Sequence, residues 1–358
     1  MPIAKTSLLD TLIPAEHRAA VGSLLAGRTV LAAEPLTGGA SGATMLRVQF
    51  ANEVCVLRLD GPPDGFRDPA RQNACQAIAA AQGVGPALIA CDPAARVSLS
   101  AFVAPAAEPP RAEKLARIAR AVRRLHDGPI FPPMVPFLDG MLAVLGHFTA
   151  AKLAPPEVSD EACALLTRID AAYRLDPGDV VASHNDLNPG NILFGEQGVV
   201  FVDWESAFAA DRFVDLAAIL NYFAADSAAD TELILTAYFG RPPTPREAAR
   251  AEAMRQVIRL FYACLLLMAA APQGGRTTEA DFAAGGYEAL RAGSIEAGSA
   301  EGKIALGCAF LNDAFRAGRA PTFAATTCCW ASQRAGASWW KFISYPGATR
   351  RGYRNTGN

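Results

Sequence analysis

The stretch from Ser183 to Glu205 constrains this chain more than any other. It reads Ser183-His184-Asn185-Asp186-Leu187-Asn188-Pro189-Gly190-Asn191-Ile192-Leu193-Phe194, then Val199-Val200-Phe201-Val202-Asp203-Trp204-Glu205. Ile192 to Phe194 is predicted as a strand, Gly195-Glu196-Gln197-Gly198 as a turn and Val199 to Val202 as the returning strand. With Phe194 opposite Val199, Asn191 falls opposite Val202 and beside Asp203. A carboxamide oxygen and a carboxylate then meet at one end of the ladder. Hard oxygens placed that way suit Mg²⁺, which takes few protein groups and keeps waters and substrate phosphates. Asp186 lies in the loop entering the hairpin, where it can accept a proton from a nucleophile. This is the layout of a phosphoryl-transfer centre.

These residues also carry a family resemblance. His184-x-Asp186-x-x-x-x-Asn191 resembles the catalytic loop of kinases, and Asp203-Trp204-Glu205 resembles their metal-binding Asp-Phe-Gly or Asp-Phe-Glu. The full string is similar to the aminoglycoside phosphotransferase and choline/ethanolamine kinase group rather than to protein kinases. The resemblance implies an α+β, bilobal protein-kinase-like fold: a small N-terminal β-sheet lobe plus helix, and a larger, mainly helical C-terminal lobe. It implies ATP and Mg²⁺ as cofactors, Asp186 as catalytic base, and Asn191 and Asp203 as metal ligands. His184 becomes a structural organiser of the loop. Asp215 becomes a buried carboxylate tying its helix to that loop, while Asp211 reads as a turn or capping residue.

The rest of the chain divides accordingly. Residues 1–103 are expected to form the N-lobe, preceded by a helix over about 7–27. The runs Met45–Phe50 and Val54–Leu59 read as a hairpin, 69–82 as a helix, and Leu88–Ala90 and Val97–Val103 as further strands. Ala104 to Pro110 has linker composition and reads as a hinge. Residues 111–321 are expected to form the C-lobe, with helices over Ala112–His126, Asp215–Phe223, Asp230–Phe239, Pro245–Ala271 and Ile304–Phe315. The segment 322–358 carries Trp330, Trp339 and Trp340, several basic residues and no acidic ones, without helical periodicity; it reads as a poorly ordered extension.

Within the N-lobe, Gly38-Gly39-Ala40-Ser41-Gly42 stands where this kinase group has its phosphate-covering loop. Gly38, Gly39 and Ser41 could offer backbone N–H groups and a hydroxyl to phosphate. Taken alone, the same residues make an ordinary hairpin turn. Arg58 occupies the place of the kinase lysine that neutralises the nucleotide phosphates. Gln72 falls where the family has the acid that holds this cation, so an amide is expected to hold Arg58 weakly, unless Asp68 substitutes. Backbone near Ala101 and Val103 is expected to hydrogen-bond adenine.

Composition closes off other classes. A net charge of −2 argues against a nucleic-acid partner. The apolar run Leu260–Ala270 is too short to span a bilayer and reads as buried helix. The eight cysteines read mostly as core residues of a reducing compartment, and the first residues lack a secretory pattern, so a cytoplasmic protein without membrane contact is expected. The partner expected is a small molecule with a hydroxyl, most simply a choline- or ethanolamine-like amino alcohol, with Glu205, Trp204 and Tyr222 as candidate contacts. An aminoglycoside, a sugar or thiamine is the alternative acceptor. A nucleotide-binding regulatory pseudokinase is the alternative of another class, motivated by Arg58 with Gln72.

Overall fold

The computed structural model describes residues 11–321 with Leu9 and Phe323, apart from 37–41, 65, 197, 284–294 and 297. After α1 (Arg18–Leu24) come β1 (Ala32–Pro35), β2 (Thr44–Gln49), β3 (Val54–Leu59), α2 (Pro69–Ala81), β4 (Leu88–Asp92) and β5 (Val97–Ala101). The strands form an antiparallel sheet in the order β1-β2-β3-β5-β4. Alternation decides its faces. Leu46 and Val48 of β2, Cys55, Leu57 and Leu59 of β3, and Val97 and Leu99 of β5 are buried in one cluster with Val21 of α1 and Leu25, which caps that helix. Successive strand side chains point to opposite faces, so Arg58 must leave the sheet on the side away from Leu57 and Leu59.

The helical part contains α3 (Arg111–His126), α4 (Phe137–Ala150), α5 (Pro156–Ala172), α6 (Arg212–Ile219), α7 (Ala228–Phe239), α8 (Pro245–Ala270) and α9 (Ala300–Arg319). Helix starts follow local chemistry. Asp68 caps α2, accepting from the Ala70 amide at 2.9 Å, and Thr244 with Glu247 forms a reciprocal capping box on α8. Two short ladders sit among these helices: β6 (Val180–Ser183) with β9 (Phe208–Asp211), and β7 (Ile192–Gly195) with β8 (Gly198–Phe201).

Helix α2 lies between strands in sequence but packs on the larger core. Cys75, Ala79 and Val84 share a buried cluster with Trp204, Phe131 and Leu125, and the Phe201 amide donates to the Val84 carbonyl at 2.8 Å. Helix α8 is long and apolar enough to cross a membrane by length and composition. Yet 72% of its most apolar window is buried inside the fold, and it packs along α9. It is a core helix, and the read apolar run is only its C-terminal part.

Candidate active site

In the β7–β8 hairpin Phe194 pairs with Val199 and Ile192 with Phe201, and the Val202 amide donates to the Asn191 carbonyl at 3.0 Å. Asn191 and Asp203 therefore leave the ladder side by side. Two residues here adopt left-handed backbone without being glycine, Asn185 at φ 64° and Asp203 at φ 65°. Such conformations persist only where surrounding bonds impose them.

Asp215 supplies those bonds to the loop. Fully buried at the start of α6, it accepts the His184 amide at 2.8 Å on one oxygen and the Asn185 amide at 2.7 Å on the other. His126 Nε2–H of α3 adds a third bond at 2.9 Å. Burial alone would push the Asp215 carboxyl up, but these donors hold it below the ordinary carboxylate range. The Asn185 side chain then donates to the carbonyls of Ser206 (3.0 Å) and Phe208 (3.3 Å), tying the loop to the chain beyond the hairpin. His184 is 0% exposed, and its Nε2–H donates to the Val202 carbonyl at 2.9 Å. A ring sealed this way can neither relay protons nor ligate a metal at the surface of the cleft.

Asp186 follows on this platform, partly exposed. Its Oδ1 accepts from the Tyr262 hydroxyl at 2.8 Å and the Asn188 amide at 3.1 Å; its Oδ2 accepts from Asn191 Nδ2 at 3.0 Å. Burial pushes its carboxyl above the usual range, partly offset by the Tyr262 bond. A raised carboxyl is a better proton acceptor than an exposed one. Asn191 Nδ2 also donates to the Asp186 carbonyl at 2.9 Å, so the amide nitrogen is committed and the oxygen is the end left for a cation.

Opposite, Arg58 is 7% exposed and makes three ion pairs: Nε to Asp60 at 2.6 Å, one terminal nitrogen to Asp203 at 2.9 Å, and the other to Glu205 at 3.0 Å. Burial alone would lower the guanidinium, but the three carboxylates raise it. Glu205 itself is pushed up, by burial first and then by Asp203.

Several expectations change here. Gln72 is buried in α2 and is not among the partners of Arg58; Asp68 is spent as the helix cap. The cation is held by Asp60, Asp203 and Glu205 instead, so the weak amide clamp is corrected to a three-carboxylate one. Gln72 lines the pocket beside Arg58 without bonding it, and Arg71 of the same helix donates to the Glu205 carbonyl at 2.8 Å. Trp204 was a candidate substrate contact, but it is 1% exposed, with Phe131 edge-on at 6.0 Å and His184 at 4.7 Å. Its faces are occupied by packing, so it cannot receive a ligand cation. Tyr222 lies edge-on to Tyr262 at 5.4 Å and to Phe310 at 5.9 Å. The Ala101 amide is engaged by the Ala87 carbonyl at 2.9 Å and the Phe102 amide by the Val54 carbonyl at 3.0 Å. Any nucleotide contact at Ala101 is thereby limited to its carbonyl, while Val103 follows the last strand. Gly38, Gly39 and Ser41 lie outside the described residues, as does nearly all of the segment from 322.

Sequence reasoning missed Asp60, Asn188, Arg71 and Tyr262. Asp60 stands two positions after Arg58, a same-face spacing on extended chain that could have been noticed. Tyr262 carried no signal, because it is 76 residues from Asp186.

Among the described residues no three His, Cys, Asp or Glu side chains cluster as a self-sufficient metal site. One amide oxygen and one carboxylate instead suit a cation that arrives with its own phosphate oxygens, so the donors present fit Mg²⁺.

The sequence matches the model of the phosphotransferase enzyme family over residues 32–250. A search of curated proteins found no match. In fold, the chain is similar to a choline/ethanolamine kinase family protein from Mesorhizobium loti (22% identity, covering 88% of this chain and 99% of that one, TM-score 0.61). It is similar to the ethanolamine kinase of Plasmodium vivax (14% identity, 82% and 84% covered, TM-score 0.59). It also resembles a macrolide 2′-phosphotransferase from Brachybacterium faecium (20% identity, 71% and 93% covered, TM-score 0.53). With an antiparallel N-terminal sheet, a mainly helical remainder and a family match over most of its length, the chain belongs to the phosphotransferase enzyme family.

Proposed function

We propose that the protein is an ATP-dependent small-molecule kinase that transfers the γ-phosphoryl group to the hydroxyl of a choline- or ethanolamine-like amino alcohol. The observation that carries this reading is the seating of Asp186. Its carboxylate is held by Asn191 and Tyr262 beside the Asn191–Asp203 pair, with Arg58 facing it from the sheet. ATP would lie between the lobes, whose hinge we place at 104–110, with Gly38, Gly39 and Ser41 covering its phosphates and the Ala101–Val103 backbone near adenine.

Asn191 and Asp203 would hold Mg²⁺. When bound, the ion supplies neutralisation of charge on the phosphate oxygens. Arg58 adds a fixed positive charge on the same side, and its three carboxylate partners keep it oriented before substrate arrives. Asp186 orients the acceptor hydroxyl and takes its proton as the oxygen attacks phosphorus, a role matched by its raised carboxyl. Little covalent work is left for the protein, so positioning supplies most of the acceleration.

The amino-alcohol preference rests on half-buried Tyr222, packed edge-on against the Tyr262 that holds Asp186, where an aromatic ring attracts a small cation. The regulatory pseudokinase reading loses its motive, since Arg58 is firmly held without Gln72. The deciding experiment is ADP release measured with ATP, Mg²⁺ and a panel of alcohols. Acceptor-dependent release with choline or ethanolamine, lost in Asp186→Asn, is the expected result. ATP binding without acceptor-dependent release from any alcohol would overturn the kinase assignment, and release with a sugar or aminoglycoside alone would overturn the acceptor.

A further inference from the structure

A second cavity, of about 530 Å³, opens between α7, α8 and α9, and its lining shares no residue with the Arg58–Asp186 cleft. Its inner wall carries Arg255 and Arg259, one turn apart on the same face of α8. Both are buried, at 7% and 4% exposure.

The charges around them are unevenly matched. Arg255 is satisfied: it pairs with Glu252 at 3.2 Å, donates to the Asn221 side chain at 3.0 Å and bonds the Ala225 carbonyl. At the mouth, exposed Arg316 takes Asp313 at 2.7 Å and Asp226 at 3.2 Å. That leaves Arg259. One of its nitrogens donates to Gln256 at 2.9 Å, and no carboxylate among the described residues lies within ion-pair distance. Burial first, and then the neighbouring Arg255, push this guanidinium below its ordinary value, against the more distant Asp313, Glu252 and Asp226 of the same cavity, which Arg255 and Arg316 already pair. A guanidinium cannot shed its proton near neutral pH, so it remains a buried cation in the cavity wall, with a single side-chain bond to Gln256. Keeping such a group is costly unless something anionic joins it.

We propose that this cavity binds a small organic anion, its carboxylate or phosphate pairing with Arg259. The volume exceeds that of a bare oxyanion, and Leu235, Pro243 and Ala317 offer an apolar wall for the ligand's body. Arg255 lies close enough to add field without losing its own partners. The site is independent of the kinase reading, because neither its residues nor its test involves the catalytic loop.

The test is a calorimetric and thermal-shift titration with inorganic phosphate and with succinate, against chloride at matched ionic strength. Wild type, Arg259→Gln, Ala317→Glu and Arg58→Gln are compared. Either probe should bind wild type beyond the chloride control, and whichever binds tighter identifies the anionic group. Arg259→Gln should weaken binding about tenfold or more, the loss of a charge-assisted bond. Its melting temperature without ligand should not fall, since a buried cation beside Arg255 has been removed. Ala317→Glu places a carboxylate in the cavity and should abolish binding, which decides the matter if Arg259→Gln fails to fold. Arg58→Gln should leave the binding intact. Absence of binding in wild type, survival of binding in Arg259→Gln or Ala317→Glu, or its loss in Arg58→Gln alone would overturn the proposal.

Discussion

Asp186 and Asn191 are five residues apart and join within one loop, whereas Arg58 reaches Asp203 and Glu205 across 145 and 147 residues. The first half of the site is local. A hairpin register and one buried carboxylate orient it, so its geometry follows from spacing. The second half forms only when the sheet docks on the helical part, bringing Asp60, Asp203 and Glu205 around one guanidinium. The loop should therefore respond to substitution through chemistry or through its anchor. The Arg58 cluster should respond through substrate affinity and coupling.

The largest effect expected is on the local side. Asp186→Asn keeps the shape of the loop and removes the proton acceptor, so kcat should fall about 10²–10⁴-fold while the melting temperature changes little. A drop in stability with retained turnover would show that the loop is a scaffold rather than a chemical group.

Next comes its anchor. Asp215→Ala strands two buried amides and His126, and should cost about 3–5 kcal/mol in urea unfolding. The pH dependence has a definite sign. The folded carboxyl is depressed, so its contribution is present above the ordinary value of about 3.9 and is lost as pH falls through the lower folded value. The difference between Asp215→Asn and wild type should persist from pH 7 to 5 and shrink below about pH 4.

On the long-range side, Glu205→Gln removes one charged bond to Arg58. It should raise KM for ATP about tenfold, within the range of a charge-assisted hydrogen bond. Combined with Asp60→Asn, the effects should fall short of additivity or exceed it by about 0.5–3 kcal/mol, because both act on one guanidinium. Strict additivity would break the picture of a shared cluster. The smallest effect is expected at Gln72. Since it is not a partner of Arg58, Gln72→Ala should move kcat and KM for ATP by less than about twofold, under 0.5 kcal/mol. A larger change would restore the amide clamp.

Why one half was legible and the other not has a physical origin. Hairpin pairing of Phe194 with Val199 follows from strand periodicity and a Gly-flanked turn, and it carries Asn191 to Asp203 automatically. The kinase-like fold came through the resemblance that this same string carries, and the β2–β3 hairpin, the helix over 69–82 and the capping residue Asp211 followed from short-range patterns, while the paired β6 and β9 were not read. Gln72 does line the pocket beside Arg58 and Glu205, as its spacing predicts, but it makes no bond to Arg58. The carboxylates that hold the cation come from β3's own exit and from beyond the hairpin, and only the docking of sheet on helices brings them together. Trp204 was misjudged because aromatic faces are equally able to bind a cation or fill a core. Only burial against Phe131 and His184 decides between them.

By itself, then, the sequence determined what is local: the hairpin, the order of Asp186, Asn191 and Asp203, and the class of chemistry their oxygens can perform. Tertiary structure alone decided which charges meet Arg58, that Tyr262 holds Asp186, and that Arg259 is buried without a carboxylate. Those contacts depend on how separate elements dock. Docking is settled by the apolar surface each element buries, which the spacing of polar residues along the chain does not record.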